Sequence, residues 1–200
     1  MWGKAISMSK KEVEKHTPKS RTEWRNWLEK NHQTKHSVWL VYYRTSSDVA
    51  SITWSEAVDE AICFGWIDST KKTIDEERYM QYFSKRKPSS TWSLINKEKV
   101  DFLIRNNLMA KAGLEVIKTA KQNGNWSLMD DVEKLIIPDD LNLALGKKEG
   151  AMDFYQSQTK STKKMMLYWV VMAKRIETRT KRINEIVESA AKGLIPNQFK

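Results

Sequence analysis

The chain has 200 residues, 40% of them hydrophobic, and nine are tryptophan. That many large apolar side chains supply a real core and exclude an intrinsically disordered chain. A net charge of +10 and a pI near 9.5 direct the chain towards anionic partners, unless the charge serves only to solvate the surface.

Residues 1–18 read as a polar, lysine-rich lead-in. Ser20 with Glu23 forms a capping-box pattern that opens a helix over Arg21–Asn31, with Trp24, Trp27 and Leu28 on one face. The apolar run from Val38 is too short for a helix and reads as a strand buried on both faces, over Val38–Arg44. Thr53 with Glu56 caps a second helix, in which Trp54, Ala57, Val58, Ala61 and Ile62 make the inward stripe. Ser55, Glu56, Asp59 and Glu60 then cover its solvent face. Gly65 stands where a left-handed residue ends that helix. Ile67–Ile74 and Arg78–Phe83 alternate about a short acidic link and read as a hairpin. Lys85 to Ser90 is a basic loop broken by Pro88.

From Trp92 onward the pattern is helical. Val100, Leu103 and Ile104 line one helix, closed by Asn107; Val116, Ile117 and Ala120 line the next, ended by Asn123 and Gly124. Trp126–Ile137 reads as a connecting arm. Pro138 with Asp139 and Asp140 is a helix-start signal, leading into Leu141, Ala144 and Leu145. A short helix carries Met152, Phe154 and Tyr155. Ser161 caps a longer one with Met165, Tyr168, Trp169 and Met172 inside. The last, about Glu177–Ala191, buries Ile183, Ile186, Val187 and Ala190. The expected fold is α+β and mostly helical. A small antiparallel three-stranded sheet packs on helices and is followed by a helical C-terminal module. The expected divisions are a lead-in over 1–19, a core domain over 20–137 and the module over 138–200.

Catalytic signatures are weak. Cys63, the single cysteine, sits in the run AICFG and reads as a small buried hydrophobe. His16, His32 and His36 lack the further ligands of a metal site, so no metal and no cofactor is expected. No nucleophile elbow, phosphate loop or dinucleotide fingerprint occurs. No apolar run approaches the ~20 residues of a membrane span. The first residues lack a secretory signal's apolar stretch, so a soluble, cytoplasmic protein is expected.

Two surfaces stand out. Around the basic loop, Trp66, Asp68, Arg86, Ser90, Trp92 and Asn96 combine indoles, a guanidinium and hydrogen-bonding groups, a mixture suited to phosphate or carboxylate. The competing reading makes Trp92 a core anchor, Asp68 a structural ion-pair residue and the cations solvated. In the C-terminal helix, Lys174, Arg175, Arg179 and Arg182 suit a nucleic-acid backbone or anionic lipid, or else pair structurally near a helix end.

The strings GWIDSTKK, RKPSSTWSLIN, IPDDL and AKRIETRTKRI, in that order, resemble the YdeI/OmpD-associated family, also called bacteriocin-protection proteins. The resemblance extends over most of the chain after Ser20. Ser84, Lys85 and Arg86 replace the family's usual Thr-Pro-Arg, and Asn107 stands where it tends to have glycine. The resemblance implies tolerance of antimicrobial peptides and association with a porin, with no settled reaction. The leading expectation is a non-enzymatic stress or bacteriocin-tolerance protein that binds an acidic partner or small anionic ligand. The alternatives are nucleic-acid binding through the C-terminal basic helix, or an enzyme acting on a small anionic substrate near Trp66 and Trp92.

Overall fold

Capping decides where the first helices begin. Ser20 Oγ accepts the Glu23 N–H at 3.3 Å and opens α1, Arg21–Asn31. The Glu23 carboxylate reaches back to the N–H of Lys19 at 2.8 Å. Thr53 and Glu56 form a full reciprocal capping box at the start of α2, Trp54–Cys63. Both satisfy backbone donors that a helix start otherwise leaves exposed. The computed structural model describes residues 13–199.

The sheet has four strands in the order β1-β2-β4-β3: β1 is Lys15–His16, β2 Ser37–Tyr43, β3 Trp66–Thr73 and β4 Arg78–Lys85. The fold is α+β with about half its residues helical, as the pattern implied, but the sheet is mixed rather than antiparallel. The difference is β1, which pairs in parallel with β2 at Lys15↔Trp39 and His16↔Leu40. Two residues in a polar stretch carry no alternation by which a strand is recognised. The β3–β4 hairpin is antiparallel, with its register shifted between Asp68 and Lys71.

Alternation sorts the sheet faces. Val38, Leu40 and Tyr42 on β2 lie opposite Phe83, Gln81 and Tyr79 on β4. This is the face that α1 covers: Trp24 meets Phe83 edge-on with centroids 5.6 Å apart. The Trp24 indole N–H donates to the Ala57 carbonyl at 3.1 Å, tying α1 to α2.

After the sheet come α3, Leu94–Arg105, and α4, Lys111–Gln122. Asn107 takes φ 55°, with the Leu108 N–H on Leu103 O and the Asn107 N–H on Ile104 O, a paired C-terminal closure. Gly113 is buried in α4 against the Cys63 carbonyl, so closely that a Cβ there would overlap it. This close approach lets α4 pack on the end of α2.

The described residues form two compact units, one of residues up to Ser90 with Asn96–Gln122, the other of Thr91–Ile95 with the residues from Asn123. The second unit is helical. The expected arm contains a short helix, α5, Asp130–Glu133. Then follow α6, Asp139–Gly146; α7, Ala151–Ser157; α8, Lys160–Val171; and α9, Ile176–Ala190. Leu141, Leu145, Tyr155, Leu167, Val170 and Ile186 form its buried centre.

Several side chains depart from their expected faces. Trp54, the first residue of α2, is 46% exposed, its indole N–H donating to Asp68 on the edge strand β3. Glu60 is 2% exposed, not solvent-facing: Arg21 and Arg25 of α1 reach over it, at 2.5 and 2.7 Å. Its neighbour Asp59 pairs with Lys99 at 2.5 Å. Ile104 is exposed. In α8 the buried residues are Met166, Leu167 and Val170, while Met165 and Tyr168 face out. The run MMLYWVVM is apolar on every side, so its composition does not choose a face. Thr159, not Ser161, caps that helix, accepting the Thr162 N–H at 3.1 Å.

Candidate functional site

The turn between α2 and β3 builds a concavity. Gly65 adopts φ 72°, and a Cβ there would stand 2.7 Å from Val116 Cγ2. The Gly65 carbonyl accepts the Arg86 N–H at 2.9 Å. Trp66 pairs with Lys85 across the hairpin, so their side chains leave one face of the sheet together. Arg86 follows at the end of the strand.

These residues line a cavity of about 390 Å³. Phe64, Trp66, Val116 and Pro88 give it apolar walls. His32, Lys85 and Arg86 give basic groups, and Glu115 an acidic one. The volume falls in the range of small-ligand sites. Trp66 is 1% exposed and is held by Trp27, whose ring meets it edge-on at 5.8 Å. Lys85 Nζ donates to the Gln33 carbonyl at 2.7 Å. His32 Nδ1 lies 2.8 Å from Leu28 O, and its ring lies 5.1 Å from Phe64.

Arg86 is 5% exposed. Burial pulls its pKa down to about 10 by stripping water from the charged guanidinium, and the negative charge of Asp68 works against that pull.

The other sequence-derived residues are dispersed. Asp68 lines a separate cavity of about 360 Å³ with Trp54, Lys71, Tyr79 and Gln81. Its Oδ2 accepts the Trp54 indole N–H at 3.1 Å and the Gln81 amide at 3.0 Å. Ser90 closes a turn, its N–H donating to Lys87 O at 2.9 Å. Asn96 is half-buried on α3, and neither it nor Ser90 lines the cavity of Arg86. Trp92 belongs to the second unit, where it is 1% exposed and lies 5.0 Å from the Trp126 ring. Lys85 was visible as part of a basic run. Nothing in the local sequence of His32 or Glu115 marks them as neighbours of Arg86, because helices distant in the chain deliver them.

Of the C-terminal cations, two are tied down. Arg179 grips Asp140 through both carboxylate oxygens, at 2.6 and 2.8 Å, and donates to Val170 O at 3.2 Å. That pairing holds the Asp140 carboxyl below its usual range. Arg182 donates to Trp169 O at 2.5 Å, with its guanidinium 5.2 Å from the Trp169 ring centre. Lys174 and Arg175 are exposed.

Cys63 is buried, and desolvation pushes its thiol up to about 11, which keeps it protonated and unreactive near neutral pH. Among the described residues no helix is long and apolar enough to cross a membrane.

Residues 16–116 match the family model described as Domain of unknown function (DUF8412). Residues 134–193 match the model described as Bacteriocin-protection, YdeI or OmpD-Associated. The chain belongs to the DUF8412 family and carries a YdeI/OmpD-associated domain. The strings IPDDL and AKRIETRTKRI lie within the second match; GWIDSTKK and RKPSSTWSLIN lie within the first. Comparisons with curated proteins and with solved structures give no match.

Proposed function

We propose that the protein is a non-enzymatic, cytoplasmic binding protein of the YdeI/OmpD-associated type, serving stress or bacteriocin tolerance. It takes the carboxylate or phosphate of a small ligand or acidic partner in the Arg86 cavity. The observation that carries this reading is Arg86 itself, a guanidinium 5% exposed on the wall of an open, aromatic-sided cavity beside Lys85. Arginine's fixed fork suits a carboxylate or phosphate held by two parallel hydrogen bonds. Trp66 and Phe64 supply a dry wall that strengthens such contacts by excluding water. The bacteriocin-protection description of the matched family accords with a protein that works by binding.

Calorimetric titration with phosphate and with short carboxylates tests it. Binding is expected in the wild type and is expected to fall about tenfold or more in Arg86→Met. Equal affinities in the two proteins contradict the reading. The nucleic-acid reading through the C-terminal helix is the weaker one, since Arg179 and Arg182 are engaged within the second unit.

A further inference from the structure

The first unit holds a second surface with the chemistry of a binding site. Trp54 opens α2 and is 46% exposed. Among the described residues no ring stacks on it and no cation covers it. Exposed indoles usually swing freely, but this one is fixed. The Thr53–Glu56 capping box locks its backbone, and Asp68 Oδ2 takes its N–H at 3.1 Å. The result is a flat, oriented apolar plate whose ordering cost is met before any ligand arrives.

Two cavities, of about 470 and 360 Å³, share Trp54 and Tyr79 in their walls. Asp68 and Lys71 line the smaller cavity together with Gln81, whose amide nitrogen donates to Asp68 Oδ2 at 3.0 Å and to Ser69 O at 2.7 Å. Arg44 lines the larger one. Lys71 Nζ lies 4.3 Å from the Tyr79 ring centre, and the Arg44 guanidinium 5.9 Å from it. Neither forms an ion pair among the described residues. Tyr79 is itself stacked on Tyr42, with centroids 4.8 Å apart and planes 5° from parallel, so the platform beneath the cations is rigid.

We infer that Trp54, Asp68, Lys71 and Arg44 form a nucleotide-binding site. The base stacks on Trp54, its amino edge meets Asp68, and the phosphate lies towards Lys71 and Arg44. Each element answers one part of that ligand. A heteroaromatic base needs a free π-face, its amino group needs an acceptor such as the Asp68 carboxylate, and its phosphate needs cations without internal ion pairs. A plain anion leaves Trp54 and Asp68 without a role, and a neutral sugar leaves the two cations without one. The site is separate from the Arg86 cavity, whose lining shares none of these residues. The same chemistry is offered by a free mononucleotide and by one residue of a single strand.

The test is calorimetric titration of the whole chain at low salt with nucleoside monophosphates, and fluorescence anisotropy with a labelled single-stranded octanucleotide. Trp54→Ala is expected to weaken binding about tenfold, Trp54→Phe to restore part of it through the retained ring, and Lys71→Ala to reduce the salt dependence. Saturable binding of the mononucleotide alone assigns a free-nucleotide site; binding of the octanucleotide with only weak competition by mononucleotide assigns a strand site. The inference is overturned if neither probe binds, if inorganic phosphate competes as well as the nucleotide, or if Trp54→Ala binds like the wild type. Lys30→Ala, at an exposed cation of α1 that lines none of these cavities, serves as the control variant and is expected to leave nucleotide affinity unchanged.

Discussion

The two units share one use of arginine and differ in another. In the helical unit, Arg179 and Arg182 are clamps: each closes on carbonyls or a carboxylate near a dry core and leaves little for a ligand. In the sheet unit, Arg21 and Arg25 converge on the buried Glu60, while Arg86 is buried on the edge of open space. Arg86 differs from the others in lining a cavity, and the proposed binding role rests on that difference.

The largest expected effect tests the organising role. Glu60→Ala strands two arginines over a vacated site and is expected to cost about 3 kcal/mol in denaturant unfolding, since removing one partner of a buried ion group leaves charge uncompensated. Burial lowers the pKa of Arg21 and Arg25, but the hydrogen bonds and charge of Glu60 more than reverse it, so both are raised overall. If Glu60→Ala melts within about 0.5 kcal/mol of wild type, the three side chains are not a structural unit.

Next comes Gly113→Ala. Its new methyl meets the Cys63 carbonyl, a backbone atom that cannot swing aside. The expected loss is about 1–3 kcal/mol, as for other overpacked positions. By contrast Gly146→Ala, with nothing within 4 Å, is expected to be tolerated.

Arg179→Ala is expected to cost about 1 kcal/mol, in line with exposed but bidentate pairs. Its pH signature gives a sharper test. Asp140 titrates lower in the folded protein than in the unfolded chain. The pair therefore stabilises fully above the unfolded carboxyl's pKa, and that contribution disappears as pH falls through the depressed folded value. Asp140→Asn is expected to be less stable than wild type at neutral pH and to converge with it only as the pH falls below that depressed folded value. Parallel curves at all pH values remove the clamp from the account.

The last effect concerns binding rather than stability: Arg86→Met is expected to lose anion binding, with its melting followed alongside.

The sequence revealed most of the local structure because local physics decides it. Both capped helix starts, the closure at Asn107 and the positive φ at Gly65 depend on a few adjacent residues. The two-residue β1 was hidden because its pairing is set by β2, more than twenty residues away. Glu60 was misplaced for a related reason: its helix pattern points it outward, and only α1 brings the arginines that bury it. Of the candidate site, Trp66 and Arg86 were legible and do share one cavity. Asp68 was noticed as a carboxylate but belongs with Trp54, an indole whose helical spacing suggested the core. His32 and Glu115 were invisible, since α1 and α4 supply them from far along the chain.

The most direct measurement is calorimetric titration of phosphate and of short carboxylates into the wild-type chain and into Arg86→Met, with both folds verified by thermal melting. The account predicts saturable binding to the wild type and about tenfold or greater loss in a variant that melts like it. A folded Arg86→Met that binds those anions as tightly as the wild type contradicts the claim that the buried guanidinium exists to receive them.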